Sequence, residues 1–431
     1  MKSQEIRDRH KQYLFPAVKN FYQESIVVSR GKGTQITDMD GKTYLDFFGG
    51  ILTVSIGHAH EEVNAAIIAQ VNRLSHISSL YPVESVVNLA ERLVNITPGN
   101  LEKCFLTASG TEADETAVMM AQLSTGNTEF IALRHAYAGR SMLAQSLTAH
   151  STWRALPTQI AAVKHALSPY CYRCPLKTTY PECGVGCAED VDELIRTTTT
   201  GEIAGMMVEP IQGVGGFITP PKEYFKIVAE IIRKYGGLFI SDEVQTGFGR
   251  TGKMWGIDHY GVEPDMMTVA KGIANGMPLA AVITTGDIAD SMVKNTISTF
   301  GGNPVSCAAA NKTIDIILRD KLAENSKNMG AILRKGLEDI QLKHPKIVGD
   351  VRGMGLMQAI ELVVDETAGD RTPNPKAVDQ FMEETKKRGL LIGRGGLSGN
   401  VVRISPPLNI TRDDVENALE ILAESFAALT N

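Results

Sequence analysis

The stretch GGLFISDEVQTG, residues 236–247, places an acidic side chain directly after a run of apolar residues. An acid at the end of a buried strand is costly unless it has a partner, so Asp242 is expected to have one. The stretch DMMTVAKG, residues 265–272, ends a second apolar run in Lys271, where burial would lower the pKa and favour the neutral, nucleophilic amine. The two residues are 29 positions apart, close to the roughly 30 residues of one β-α-β unit, so we predict that they lie at neighbouring strand ends. Taken singly, each residue fits a structural salt bridge as well as a catalytic role.

Between residues 101 and 300, short apolar runs alternate with amphipathic stretches, which predicts a mainly parallel sheet with helices on both faces. The predicted strands are KCFLTA, EFIAL, IAGMMVE, GGLFISDE, DMMTVAK and AAVITT, and the predicted helices include TEADETAVMMAQLS and PKEYFKIVAEIIRKYG. From about residue 325 the pattern indicates a smaller α+β domain, whose last helix Thr411 and Asp414 would cap. Near the start of the chain, Asp40-Gly41 predicts a hairpin turn. We therefore expect an α/β fold with an N-terminal segment (1–50) that packs with the small domain, a large domain (51–325) and a small C-terminal domain (326–431).

A small, hydroxyl-rich segment, Ser109-Gly110-Thr111-Glu112, stands between the first of these strands and a predicted helix. The start of a helix offers backbone N–H groups and the positive end of the helix dipole, and both suit a phosphate. The segment is neither a Walker A nor a G-x-G-x-x-G sequence, so it does not imply a nucleotide. An ordinary serine N-cap is the alternative interpretation.

Together these residues match the needs of pyridoxal phosphate. This cofactor requires an amine that forms a Schiff base, a carboxylate that keeps the pyridine nitrogen protonated, and an anchor for the phosphate. Lys271, Asp242 and the segment from Ser109 to Thr111 supply these three groups. Tyr137, in RHAYAGRS, is a candidate to stack on the ring, and a core or loop aromatic is the alternative.

The sequence resembles the class III (ω-amino-acid type) aminotransferases, which are fold type I pyridoxal-phosphate enzymes, and looks most similar to their alanine–glyoxylate type. The resemblance covers nearly the whole chain and is most specific in SDEVQTGFGRTG (241–252) followed by AKG (270–272). Other matching stretches are DMDGKTYLDFFGG, GHAH, SGTEA, EPIQG, TFGGNP, GDVRGMGLM and VVRISPPL. The resemblance implies an enzyme that moves an amino group from an amino acid to a 2-oxo acid.

Each matching position carries an implied role. Lys271 would form the Schiff base and move the proton, and Asp242 would pair with the pyridinium nitrogen. Val244 would pack on the ring face opposite Tyr137, and Gln245 would reach the 3-oxygen. The phosphate would be held by Ser109, Gly110 and Thr111.

Two more residues are implied at the edges of the site. Thr299, in TFGGNP, would reach the phosphate from a partner subunit, which implies a homodimer or a higher homo-oligomer with shared active sites. Arg403, in VVRISPP, would bind the carboxylate of the amino acid or oxo acid. A solvated arginine on a small-domain strand is the alternative for Arg403.

The chain departs from the family pattern at two positions. Val214 stands where 4-aminobutyrate and ornithine members have a glutamate that pairs with the substrate-binding arginine. This change favours alanine, β-alanine or a related ω-amino acid as donor, with glyoxylate or pyruvate as acceptor. Ala138 stands where many members have a histidine. Ile51, Leu52 and Tyr81 are candidates for donor specificity.

The sequence leaves three other functions open. The first is a 4-aminobutyrate-type transaminase that uses 2-oxoglutarate, and the second is a racemase or lyase that uses the same cofactor on the same fold. The third is a non-enzymatic, metal-dependent protein built around Cys171, Cys174, Cys183 and Cys187, although that function leaves the lysine and the phosphate segment unexplained.

The four clustered cysteines have the spacing C-x2-C and C-x3-C, which allows a structural zinc, and free thiols or a disulfide are the alternatives. No metal ligand is assigned to the active site. The net charge of −6 disfavours nucleic acid, and no apolar run approaches the roughly 20 residues of a membrane span. We expect small-molecule substrates and a cytoplasmic location.

Overall fold

The computed structural model describes residues 2–18, 20–156 and 160–430, with the side chain of residue 430 left out. The helices are α1 (Ser3–Tyr13), α2 (Gly49–Leu52), α3 (Glu61–Arg73), α4 (Glu84–Ile96), α5 (Gly110–Thr125), α6 (Met142–Leu147), α7 (Gly186–Thr198), α8 (Tyr224–Lys234), α9 (Gly286–Asp290), α10 (Pro304–Arg319), α11 (Leu322–Lys343), α12 (Pro375–Lys387) and α13 (Arg412–Thr430). The strands are β1 (Val28–Lys32), β2 (Gln35–Asp38), β3 (Thr43–Asp46), β4 (Lys103–Thr107), β5 (Phe130–Leu133), β6 (Val163–Ala166), β7 (Gly205–Val208), β8 (Leu238–Asp242), β9 (Met266–Val269), β10 (Ala280–Thr284), β11 (Val348–Met354), β12 (Met357–Asp365), β13 (Asp370–Pro373), β14 (Leu390–Leu391), β15 (Gly393–Gly395) and β16 (Val401–Ile404).

A seven-stranded sheet forms the centre of the molecule, in the order β4-β10-β9-β8-β7-β5-β6. The strands β6, β5, β7, β8 and β9 are parallel, and β10 is antiparallel to both β9 and β4. Six strands therefore run in one direction, and their carboxyl ends meet at one edge. All six strands predicted between residues 103 and 285 are confirmed, and β6 was missed because VKHA is short and polar at two of its four positions.

The central sheet is covered on both faces, as the alternation predicted. Neighbouring residues on one strand enter different hydrophobic cores, since Phe239 belongs to one and Ile240 to the other. The helix α8 packs against α7 and β8, whereas α5 packs against β9 and β10. Burial on both faces explains why these strands read as continuous apolar runs.

The chain after β10 builds an antiparallel sheet, β11-β12-β16-β15, with α11 and α12 packed against it and α13 packed against these two helices. The predicted α+β organisation of this region is confirmed, although α11 begins at Leu322 and so spans the predicted boundary at residue 326. The predicted cap of α13 is present: the Thr411 hydroxyl accepts the Asp414 N–H at 3.1 Å, and the Asp414 carboxylate accepts the Thr411 N–H at 3.3 Å.

The N-terminal strands form a third sheet, β1-β2-β3-β14. The predicted hairpin around Asp40 joins β2 to β3, which are antiparallel. The last strand of this sheet, β14, comes from the C-terminal part of the chain and pairs in parallel with β3, so Leu390 lies opposite Leu45. Among the helices that the structure describes, none is both long and apolar enough to cross a lipid bilayer.

Candidate active site

One cavity of about 290 Å³ lies where the carboxyl ends of the central strands meet. Its volume is near the lower end of the roughly 300–1,000 Å³ of small-molecule sites. Open parallel sheets bind their ligands at this edge. The cavity is lined by Ser109, Gly110, Thr111, Tyr137, Asp242, Val244, Gln245 and Lys271, together with Asp114, Ala138 and Glu209.

Asp242 ends β8 and Lys271 follows the neighbouring parallel strand β9, as their spacing predicted. Asp242 is 5 % exposed and accepts the Val244 N–H at 2.9 Å. Burial raises the pKa of Asp242 to about 6, against the opposing effects of that N–H and of Lys271. Burial also lowers the pKa of Lys271. Neither side chain forms an ion pair within the part of the chain that the structure describes, so a structural salt bridge does not account for them.

The predicted phosphate segment begins α5. Ser109 is the N-cap, and its hydroxyl accepts the Glu112 N–H at 3.3 Å while the Glu112 carboxylate accepts the Ala108 N–H at 2.7 Å. The predicted serine cap therefore exists, and its O–H hydrogen stays free to donate to an anion in the cavity. Gly139 closes over this segment with φ +129°, and a Cβ there would lie 2.1 Å from the Thr111 hydroxyl oxygen. Only glycine allows this close approach.

The aromatic and amide groups of the cavity are also held in place. The Tyr137 ring meets Trp153 edge to face, with 5.6 Å between the ring centroids. The Gln245 side chain is 7 % exposed, and its Oε1 has no hydrogen-bond partner among the described residues. A Cβ at Gly213 would lie 2.3 Å from this amide, so the glycine makes room for it. An unpaired buried amide oxygen in a cavity indicates a polar ligand, because such an atom is costly to leave unsatisfied.

Sequence reasoning missed two buried carboxyls in this cavity. Glu209 follows β7 and accepts the N–H groups of Tyr137 at 3.2 Å and Gly213 at 2.8 Å; burial raises its pKa to about 8. Asp114 lies on the second turn of α5, is 2 % exposed, and has its pKa raised well above the usual range by burial and by Asp242. Glu209 carries the same signal that pointed to Asp242, an acid at the end of an apolar strand. The sequence signal for Asp114 is weaker: it lies four positions after Gly110, about one helical turn away.

Two predicted site residues lie outside the cavity. Arg403 is on β16 of the small domain and is 4 % exposed, which excludes the solvated arginine. Thr299 is exposed and lines a different cavity, of about 650 Å³, on this chain.

The candidates for donor specificity also lie outside the cavity walls. Ile51 and Tyr81 are 44 % and 62 % exposed, and Leu52 is 2 % exposed. Their neighbour Thr53 is the residue of this region that lines the cavity. Ala138 is buried and donates its N–H to the Thr148 hydroxyl at 3.0 Å.

The four clustered cysteines line one small cavity of about 20 Å³, which is formed by residues between 168 and 187 together with Pro221. All four are free thiols. Among the residues that the structure describes, no group of three or more His, Cys, Asp or Glu side chains is arranged to hold a metal ion.

The family model for "Aminotransferase class-III" matches residues 17–426 of this chain. The chain belongs to the class III aminotransferases. Three relatives are similar over nearly the whole length. An Arabidopsis thaliana protein named alanine–glyoxylate aminotransferase 2 homolog 2, mitochondrial, is 40 % identical and covers 98 % of this chain and 87 % of its own. The human alanine–glyoxylate aminotransferase 2, mitochondrial, is 37 % identical and covers 98 % and 86 %. A Pseudomonas putida 5-aminovalerate aminotransferase is 35 % identical and covers 94 % of each chain.

Solved structures agree with this membership of the class III family. A Bacillus anthracis aminotransferase has a TM-score of 0.92 and 30 % identity, and covers 99 % of this chain and 100 % of its own. An amine transaminase from an uncultivated Pseudomonas species, described as PLP-bound, has a TM-score of 0.89 and 32 % identity, with 97 % and 98 % covered. This class III enzyme therefore has a fold type I architecture and depends on pyridoxal phosphate.

The residues present fit the cofactor. Lys271 would bind the aldehyde of the cofactor and Asp242 would face its pyridine nitrogen. The start of α5 would hold the phosphate, and the unpaired amide oxygen of Gln245 offers a polar contact within the same cavity. When bound, pyridoxal phosphate supplies an aldehyde that exchanges amino groups and a ring that withdraws electrons from the bond to be broken. The chain itself supplies a lysine amine, Lys271, whose pKa burial lowers, which makes it easier for the amine to release a proton. It also supplies a buried carboxyl, Asp242, that can carry negative charge above about pH 6.

Replacing Asp242 by Asn is expected to lower kcat/KM for alanine and pyruvate by about 10²–10³-fold, because a neutral amide does not stabilise a positive ring nitrogen. The matched control is Asp114→Asn, a change of the same shape in the same cavity. Burial and the neighbouring Asp242 raise the pKa of Asp114 well above its usual range. This favours the neutral form, which asparagine resembles, so we expect this variant to stay within about tenfold of the parent. Equal losses in the two variants would contradict the role of Asp242.

The covalent uptake of pyridoxal phosphate by the apoenzyme should become faster with rising pH and should level off below pH ~10, where ordinary lysines lose their proton. Burial disfavours the charged form of Lys271 and lowers its pKa, so the reactive amine appears at lower pH. The measurement is borohydride trapping at a series of pH values, followed by mass spectrometry of the peptide that contains Lys271. Lys271→Ala is the control without a trapping site. A rate that still climbs above pH ~10 would contradict the lowered pKa.

Proposed function

We propose that the enzyme moves the amino group of alanine, β-alanine or a related ω-amino acid to glyoxylate or pyruvate. Arg403 carries the proposal, because it is a buried cation without a carboxylate partner. It forms no ion pair with any residue that the structure describes. A substrate carboxylate would supply the missing negative charge.

The contacts of Arg403 hold the guanidinium without neutralising it. Its Nε donates to the Arg394 carbonyl at 3.0 Å, and one terminal nitrogen donates to the Gly213 carbonyl at 3.4 Å. Phe48 and Phe217 lie against the cation at 5.0 and 5.6 Å from the ring centroids. Burial lowers the pKa of Arg403 to about 10, so the group remains positive at neutral pH. When ionised, Glu209 opposes this effect and raises the pKa of Arg403, although the two form no ion pair among the described residues.

Val214 supports the proposal because its side chain has no carboxylate. It lies in the segment that contacts the small domain, where its carbonyl accepts the Gly396 N–H at 3.0 Å. Its side chain is apolar and 8 % exposed. A glutamate at this position would pair with the arginine when the substrate has no α-carboxylate. Valine leaves Arg403 open to the carboxylate at all times.

The names of two relatives, the Arabidopsis and human alanine–glyoxylate aminotransferases, support alanine and glyoxylate as substrates. A second candidate is transfer from a longer ω-amino acid, such as 4-aminobutyrate, to 2-oxoglutarate. The similarity to the Pseudomonas putida 5-aminovalerate aminotransferase favours this candidate. The residue at position 214 argues against it.

We expect Arg403→Met to raise KM for alanine, glyoxylate and pyruvate by about 10- to 100-fold, because it removes a charge-assisted hydrogen bond to the carboxylate. Val214→Glu should raise the same KM values, because the new carboxylate would compete for the arginine. Val214→Gln is the matched control without the charge and should have a smaller effect. The measurement is a screen of alanine, β-alanine, 4-aminobutyrate and 5-aminovalerate as donors against glyoxylate, pyruvate and 2-oxoglutarate as acceptors. Parent activity confined to 4-aminobutyrate or 5-aminovalerate with 2-oxoglutarate would overturn the proposal in favour of the second candidate.

The cofactor roles of the remaining residues belong to the same proposal. We assign the phosphate to Ser109, Gly110 and Thr111, because they surround the start of a 16-residue helix beside the cavity. Tyr137 and Val244 would contact the ring, and Gln245 its 3-oxygen. Their shared place in one cavity supports these assignments.

We also propose a homodimer with shared sites. An exposed apolar surface flanks β4, and two cavities of about 750 and 650 Å³ open on it. Large exposed side chains contribute to it, with Leu80, Val293, Ile297 and Phe300 between 59 % and 82 % exposed. Patches of this kind mark protein–protein contacts. Thr299 lies among them, which suits a residue that serves the partner's cavity.

Mixing two inactive variants tests the shared site. Lys271→Ala lacks the amine, and Thr299→Glu would repel the phosphate. In a hybrid dimer with shared sites, one site carries both changes and the other carries none, so random mixing should restore about a quarter of the parent activity. If Thr299 serves its own chain, or if the protein stays monomeric at micromolar concentration, no activity returns.

We propose a cytoplasmic location. Six free cysteines suit a reducing compartment, where thiols remain unpaired. Fractionation of source cells, followed by detection with an antibody, would test this location.

A further inference from the structure

A polar bridge joins the cysteine-rich loop of residues 169–187 to the small domain, and Glu361 is at its centre. Glu361, on β12, is fully buried. Its carboxylate accepts hydrogen bonds from the Tyr170 hydroxyl and from Arg173 Nε, both of them short contacts. It also accepts Arg352 at 2.7 Å and the Asn400 amide at 3.2 Å. One buried anion is thus held by two arginines, a phenol and an amide.

The register of the small sheet puts this bridge beside the substrate arginine. In the pairing of β12 with β16, Glu361 lies opposite Val401 and Ala359 lies opposite Arg403. Residues directly opposite each other share a face, and so do residues two positions apart on one strand. Glu361 and Arg403 therefore point to the same face of the sheet, about 7 Å apart along the strand direction.

A loop of the large domain connects the same two positions. Arg352 Nε donates to the Gly216 carbonyl at 2.9 Å, while Arg403 donates to the Gly213 carbonyl at 3.4 Å. The loop is close to the sheet, since a Cβ at Gly216 would lie 3.0 Å from Val401 and 3.2 Å from Arg352. Arg403 is thus positioned on one side by the strand pair β12–β16 and on the other by a loop that Arg352 holds. Glu361 takes part in both supports, because it lies on β12 and accepts a hydrogen bond from Arg352.

We propose that Arg173 and Tyr170, acting through Glu361, are positioning residues that set the orientation of Arg403 toward the substrate carboxylate. This inference rests on the proposed function, because it needs Arg403 to bind that carboxylate. Glu361 between two arginines holds the cysteine-rich loop, the loop at residues 213–216 and β16 in one arrangement. Without Arg173 the carboxylate keeps Arg352 and Tyr170 but loses one of its two ties to the cysteine-rich loop, and the guanidinium of Arg403 gains freedom. The effect falls on recognition of the carboxylate, and the cofactor cavity keeps its reactivity.

Two carbonyl reagents separate these effects. Aminooxyacetate carries a carboxylate and O-methylhydroxylamine carries none, yet both react with bound pyridoxal phosphate and quench its visible absorbance. The ratio of their second-order rate constants measures how well the enzyme recognises the carboxylate. It is independent of turnover and of the natural donor. The holoenzyme is used throughout, with cofactor content and Tm measured for each variant.

Arg173→Met is expected to lower this ratio about tenfold, as a loss of coupling through a packed network would. Arg173→Lys keeps the charge and should restore part of the ratio. Tyr170→Phe removes one hydrogen bond without a change of shape and should lower the ratio about two- to threefold, which keeps the inference testable if the methionine variant does not fold.

Arg371→Met is the matched control. Arg371 joins the same loop to the small domain at an exposed edge, through the Glu366 carboxylate at 2.9 Å and the Tyr172 carbonyl at 3.2 Å. It lies on β13, which pairs with β12 and not with β16. We expect this variant to lose stability without a change in the ratio.

The outcomes discriminate between the two proposals. If Arg403→Met lowers the ratio and both Arg173→Met and Tyr170→Phe leave it unchanged, the positioning role is wrong and the function of Arg403 stands. An equal fall in Arg371→Met and Arg173→Met would also overturn the positioning role, since any interdomain tie would then serve. If Arg403→Met itself leaves the ratio unchanged, the carboxylate role of Arg403 fails, and the inference that depends on it fails too.

Discussion

Burial of Lys271 close to Asp242 without an ion pair between them is the constraint on which the rest of the site depends. An unpaired charge in a protein interior is costly, so each group shifts toward its neutral form. Asp114 and Glu209 add two more carboxyls to the same cavity, and their pKa values are raised as well. The cavity of the apoenzyme therefore contains one amine and three carboxyl groups whose charges do not compensate one another. A cationic ring and an anionic phosphate would complete the charge pattern.

The second constraint follows from the proposed role of Arg403, by which one substrate would be held by two parts of the chain. The Lys271 amine follows a strand of the central sheet, whereas Arg403 lies on the small antiparallel sheet. The segment from Gly213 to Gly216 lies between them and contacts both, through Glu209 on one side and through Arg352 and Arg403 on the other. The distance between lysine and arginine is thus a property of domain packing. Substrate length would be selected by that packing as much as by any residue in the cavity.

Much of the fold was accessible to sequence reasoning because the physical signals are local. Apolar runs that end in Asp242 and Lys271 predicted both the strands and their adjacency, and the cap formed by Thr411 and Asp414 was visible as a three-residue spacing. Contacts between distant segments were not accessible. Nothing in YRC indicates that Arg173 meets Glu361, because the two are separated by 188 positions and only the packed structure joins them. The short strand β6 was missed because it lacks the apolar pattern of its neighbours, and Glu209 was passed over although it carried the signal used for Asp242.

The antiparallel strand β10 has a consequence for the order of folding. The segment proposed to hold the phosphate follows β4, and within the described sheet β4 pairs with β10 alone, with Leu106 opposite Ala281. Pairings between such distant positions close a large loop and form slowly. We therefore expect β4 to dock late onto a sheet whose other strands are already in register. A cofactor bound to both the β4 segment and Lys271 would bind only the docked state and stabilise it by mass action. Pyridoxal phosphate would then also stabilise the docked position of β4 in the folded enzyme.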